Sequence, residues 1–123
     1  MNINVMKFEK YGTHIGVVKG KQTLFNNEQE FLDFIIQVTE EADADIIIIE
    51  RGILPDKFFD LNSGFAGMMH QKIVNHRIQM AIVGNFKEYK DTNMEAYIRE
   101  NNERGKDIVF LNSVNEAVGF FSG

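Results

Sequence analysis

The chain contains no cysteine, which excludes disulfides, thiolate nucleophiles and sulfur-ligated metals. It has a single proline, Pro55, and no low-complexity stretch or repeat, so nothing marks a linker or a domain boundary. Apolar runs are short. The run from Ile46 to Ile49 has four residues, against the roughly 20 a membrane-spanning helix needs. The opening stretch MNINVMKFEKYG lacks a basic segment followed by an apolar one, so no signal peptide is expected and the expected compartment is the cytoplasm. Lysines and arginines form no stripe and the formal net charge is −5. That sign repels phosphate backbones, so neither nucleic acid nor a membrane surface is an expected partner.

What remains is ordinary globular material. The 123 residues are 44% apolar and 25% charged, enough for one domain, residues 1–123, with a core of its own.

Residues 2–10 alternate apolar and polar, with Ile3, Val5 and Phe8 among Asn, Lys and Glu, and HIGVVK at residues 14–19 reads as a second strand. Tyr11, Gly12 and Thr13 suit a hairpin turn between them. Asn26 or Asn27 can cap a helix from Glu28, in which Phe31, Leu32, Phe34, Ile35 and Val38 share one face. In ADIIIIER, branching at Cβ favours a strand, and four isoleucines in a row imply a strand buried on both faces. Residues 51–64 read as a connection with one helical turn near Asp56. A second helix is expected over 65–76, a strand over 78–84, a third helix over 91–104 ended by Gly105, a strand over 107–111 and a last helix over 114–121. The expected fold class is α/β: a single mixed, mostly parallel sheet flanked by helices in the order β-β-α-β-α-β-α-β-α.

That order resembles the STAS domains of bacterial anti-sigma factor antagonists and sulphate-transporter tails. In that family an isoleucine- or valine-rich strand leads through a short loop to Asp-Ser-Ser-Gly and a helix rich in small residues. Here IIIIE leads through a longer loop to Asp60-Leu61-Asn62-Ser63-Gly64-Phe65-Ala66-Gly67, and the end DIVFLNSVNEAVGFF is similar to the closing strand and helix. Asn62 stands where the antagonists carry their phosphorylated serine, Ser63 matches the second serine, and the acidic residue is one position further away. The stretch FFDLNSGFAGMMHQKIVNHRIQMAIVGNF, with YIRENNERG after it, also resembles a family of small bacterial proteins known only as a domain of unknown function. The resemblance implies a STAS-like fold and a regulatory, protein-binding role without catalysis.

Two sets of residues are candidates for function. The first is Phe58, Phe59, Asp60, Asn62, Ser63, Gly64, Phe65 and Met68, a partner-binding or regulatory surface at the start of the second helix. A hydroxyl at a helix amino end can carry a phosphate that free N–H groups and the dipole stabilise. The plainer role for Ser63 is the helix N-cap, and the plainer place for the aromatics and Met68 is the core. The second set is Glu50, Arg51 and Asn85, at the carboxyl ends of strands, where open α/β sheets bind ligands if the strand order switches. With Asp60 and Ser63 they would line one polar cleft, although nothing in the sequence places a base beside Ser63.

The histidines do not make a metal site, because His70 and His76 are six residues apart and point to opposite sides of one helix. GFAG lacks the dinucleotide spacing and no Walker lysine follows Gly67. No cofactor or metal is expected. The expected partner is another protein, with homodimerisation through the phenylalanines as one alternative and a small-molecule site or enzyme in the strand-end cleft as the other.

Overall fold

The structure, a computed structural model, describes residues 3–123. Strand β1 (Met6–Lys10) and strand β2 (Thr13–Val18) form the opening hairpin. They are joined by Tyr11 and Gly12, whose φ angles are both positive, 54° and 80°. Two left-handed residues in a two-residue loop make a type I′ turn, whose twist matches that of the strands it joins. Residues 3–5 precede the strand, and residues 1–2 lie outside the described chain.

Helix α1 (Glu28–Ala42) starts where the Asn27 side chain accepts from the Glu30 N–H, and the Glu30 carboxylate reaches back to the Asn26 N–H, both at 2.8 Å. This reciprocal arrangement satisfies two amides that lack helical partners. Strand β3 (Ile46–Glu50) follows, then three short 3₁₀ turns at 51–53, 56–59 and 61–63, and helix α2 (Phe65–Asn75). Three turns therefore stand where one was expected. Strand β4 (Gln79–Val83), helix α3 (Asn93–Arg104), strand β5 (Ile108–Leu111) and helix α4 (Val114–Ser122) complete the chain. Helix α3 starts two residues later than its pattern suggested, because Thr92 takes the N-cap and accepts from the Glu95 N–H. Gly105 closes it in the left-handed conformation.

The five strands form one mixed sheet in the order β1-β2-β3-β4-β5, with β1–β2 antiparallel and the three remaining pairs parallel. Right-handed crossovers between strands that advance in one direction must all fall on the same face. Accordingly α1, α2 and α3 share one side, where Phe31, Phe34, Met69, Ile73 and Met94 pack with Ile47, Ile49, Met80 and Ile82. Among the described residues, α4 is the helix that covers the opposite face. Its Val114, Ala117, Val118 and Phe121 recur at helical spacing and meet Ile15, Val17, Ile46, Ile48 and Val109. The four isoleucines of β3 thus divide evenly between two hydrophobic layers, which explains a run apolar on both faces. No helix among the described residues is long and apolar enough to cross a membrane.

Candidate functional site

The strand order fixes where a site can lie. A sheet that runs β1 to β5 without reversal has no switch point, so the crevice expected at the carboxyl ends of the strands is not created by topology. Among the described residues, the strand ends carry open depressions. A groove of about 680 Å³ runs along α3 to the start of α4, lined by Asn85, Lys87, Glu95, Asn102 and Glu116. A smaller one of about 330 Å³, beside α4, is lined by Lys19, Glu50, Asn112, Ser113 and Asn115.

Glu50 and Asn85 line adjoining depressions that share Gly84 and Asn112, and Arg51, Asp60 and Ser63 line neither. The five residues that the sequence suggested for one polar cleft do not line a single depression. The Glu50 carboxylate accepts the Gly20 N–H at 2.8 Å and fastens the loop after β2. Asn85 uses its side-chain oxygen on the Lys87 N–H.

Arg51 makes the densest set of contacts in this region. Its guanidinium carbon lies 4.9 Å from the ring centre of Phe59, 5.3 Å from Phe86 and 5.5 Å from Tyr89. Nη1 donates to Glu88 at 2.6 Å and to the Asn85 carbonyl, and Nη2 donates to the Tyr89 hydroxyl at 3.2 Å. Burial lowers the pKa of Arg51, but the hydrogen bond and charge of Glu88, with Tyr89, more than reverse this and leave it raised. A planar cation can satisfy aromatic faces and a carboxylate together. The result ties the loop after β3 to the loop after β4. Phe86, Glu88 and Tyr89 were not singled out in the sequence, because nothing local connects them with a residue 35 or more positions earlier.

The segment before α2 has a different character. Phe58 is fully buried and Phe65 nearly so, while Phe59 and Met68 are half-buried. The expected aromatic surface therefore does not form, because Phe58 and Phe65 pack into the large core. Asp60, Asn62, Ser63 and Gly64 are exposed above them. The Asp60 carboxylate accepts the Asn62 N–H at 3.1 Å.

Ser63 is not the N-cap of α2. Gly64 occupies that position with φ of 78° and offers no side chain. Ser63 instead donates its hydroxyl to the Lys57 carbonyl at 2.6 Å and accepts the Phe65 N–H at 3.1 Å, so it still satisfies one amide of the first turn. Lys57 extends its ammonium over the Phe65 ring at 5.0 Å. Among the described residues, no imidazole, amine or carboxylate hydrogen-bonds to the Ser63 hydroxyl. Ser63 is exposed. The arrangement holds no partner that would activate the hydroxyl as a nucleophile. His70 Nε2 lies 3.5 Å from a carboxylate oxygen of Asp107.

Fold and site together define a small α/β protein with one mixed sheet, three helices on one face and one on the other, and an exposed serine turn leading into its second helix. The chain belongs to the family described as Domain of unknown function (DUF4180), whose model matches residues 10–120. No curated protein and no solved structure matches it.

Proposed function

We propose that this chain is a bacterial, cytoplasmic regulatory module with a STAS-like fold, which binds another protein through the start of α2 and is controlled at Ser63 without catalysis of its own. The observation that carries the reading is the setting of Ser63: exposed, at the amino end of an 11-residue helix, with its oxygen already bonded to the first helical amide. A phosphate there would gain the helix N–H groups and would add to the negative charge that Asp60 already brings to the turn. Adding about 1.5–2 negative charges to a patch made of Asp60, Asn62, Ser63 and Gly64 changes what that patch can dock against. Phe58 and Phe65 anchor the turn in the core, and Phe59 and Met68 border it.

The test is capture from an extract of the native cells with wild type, Ser63→Ala and Ser63→Glu as baits. Retention of a specific protein by the first two and its loss from the third is expected. The same proteins on all three baits would contradict control at Ser63, and no specific protein on any bait would contradict the binding module.

A second reading, a small-molecule binder or an enzyme, is favoured by the 680 Å³ groove, which Lys87, Glu95, Asn102 and Glu116 line. A rise in melting temperature with a defined metabolite, abolished by Glu95→Ala, would support it.

A further inference from the structure

The two edges of the sheet are treated differently. At β5, the Asn102 carboxamide accepts the Phe110 N–H at 2.7 Å and donates to the Phe110 carbonyl at 3.0 Å, so a side chain stands in for a neighbouring strand. At β1, no loop or side chain among the described residues bonds to the backbone of Lys7 or Glu9.

The hairpin register shows which groups are free. Lys10 pairs with Thr13 across a two-residue turn, and such a turn closes on a pair that exchanges both backbone bonds. By alternation, Phe8 and Met6 also bond inward to β2, and the N–H and C=O of Lys7 and Glu9 point outward. The side chains of Lys7, Phe8 and Glu9 are all exposed, Phe8 at 40%.

Charges on an edge usually keep strands apart, because two identical edges bring like charges together. The order Lys7-Phe8-Glu9 does the reverse in one register. For an antiparallel pair of identical strands, the outward groups allow a two-fold axis at residue 7, 8 or 9. An axis at Lys7 sets lysine against lysine, and one at Glu9 sets glutamate against glutamate. An axis at Phe8 sets each Lys7 opposite the Glu9 of the other copy, as a pair exchanging both backbone bonds, and brings the two Phe8 rings together.

From this complementarity we infer that the β1 edge is a self-association surface, on which a second copy of this chain extends the sheet across a two-fold axis at Phe8. The contact is one short strand pair, below the roughly 1,200 Å² of a standard interface, so association is reversible. It is independent of the role of Ser63.

The test is sedimentation velocity of the full chain over a dilution series. Wild type is expected to associate as concentration rises. Lys7→Glu or Glu9→Lys alone should weaken association roughly tenfold, since each replaces two attractive pairs with two repulsive ones. The double swap, Lys7→Glu with Glu9→Lys, should restore it. A monomer at every concentration overturns the inference and leaves the edge open to an extended segment of another protein. Single variants that associate like wild type, or a double swap that fails to recover, overturn it as well. Amide exchange of wild type provides a reading free of variants. Lys7 and Glu9 should gain protection with concentration while Phe8, already bonded to β2, does not, and an unchanged Lys7 and Glu9 would count against the surface.

Discussion

A Cβ on Gly84 would stand 2.7 Å from Cδ of Arg51 and 2.8 Å from its Cγ. The bare backbone after β4 is therefore the floor on which the Arg51 stem lies, and from there its guanidinium reaches Phe59, Phe86 and Tyr89. Gly84→Ala is expected to cost about 1–3 kcal/mol, the usual penalty for forcing extra volume into a packed site, measured by urea unfolding. An alanine variant as stable as wild type would mean that the Arg51 stem has room to move.

At Arg51 the fork and the flat face matter more than the charge. Arg51→Lys keeps the cation but loses the simultaneous bonds to Glu88, Asn85 and Tyr89, and is expected to cost about 1–2 kcal/mol. Glu88→Gln should cost less than about 1 kcal/mol, because the Glu88 side chain is 59% exposed and its ion pair is screened. Chemical denaturation of both variants checks the ranking, and the reverse order would refute it.

Tyr97 supplies a pH dependence. Its hydroxyl is buried without a hydrogen-bond partner among the described residues. Burial raises its pKa above the ordinary 10.0, with Asn101 and Arg104 opposing the shift only in part. A raised folded-state pKa means the contribution is complete below pH 10.0 and is lost as pH climbs through the folded value. Wild type should therefore lose stability above pH 10.0 faster than Tyr97→Phe. Near neutral pH the phenylalanine variant should equal wild type or exceed it by up to about 1 kcal/mol, because no bond is lost. Thermal unfolding of both proteins across this range decides the matter, and parallel curves would contradict the assignment.

Asn102 guards the β5 edge. Asn102→Ala removes two bonds to Phe110, at a cost of about 1–2 kcal/mol, and uncovers backbone that can recruit another strand. Lower urea resistance together with increased light scattering is expected. Unchanged behaviour in both would show that the carboxamide is dispensable.

Features with a local period could be read from the sequence. The stripe of Phe31, Phe34, Ile35 and Val38, the isoleucine run and the glycine stop at Gly105 each state their structure within a few residues, and the element order followed from them. The loop from 51 to 63 was less legible, because its turns are set by where Ile53, Phe58 and Phe59 find a core, which no local period records. The same holds for Glu50 on Gly20, Arg51 on Gly84 and Asn102 on Phe110. The first and last act through backbone groups that every residue possesses, and the second depends on a side chain that is missing at a distant position. Ser63 was recognised as a feature of the second helix's start, but one residue decided its role, since Gly64 took the left-handed cap.

The central claim is that Ser63 is a point of control. Its most direct test is quantitative mapping of phosphopeptides covering residues 57–72 in protein isolated from its native cells under varied growth conditions. A phosphate on Ser63 whose occupancy changes with conditions is the predicted result. A Ser63 unmodified in every condition, in cells where the protein is abundant, would contradict the claim.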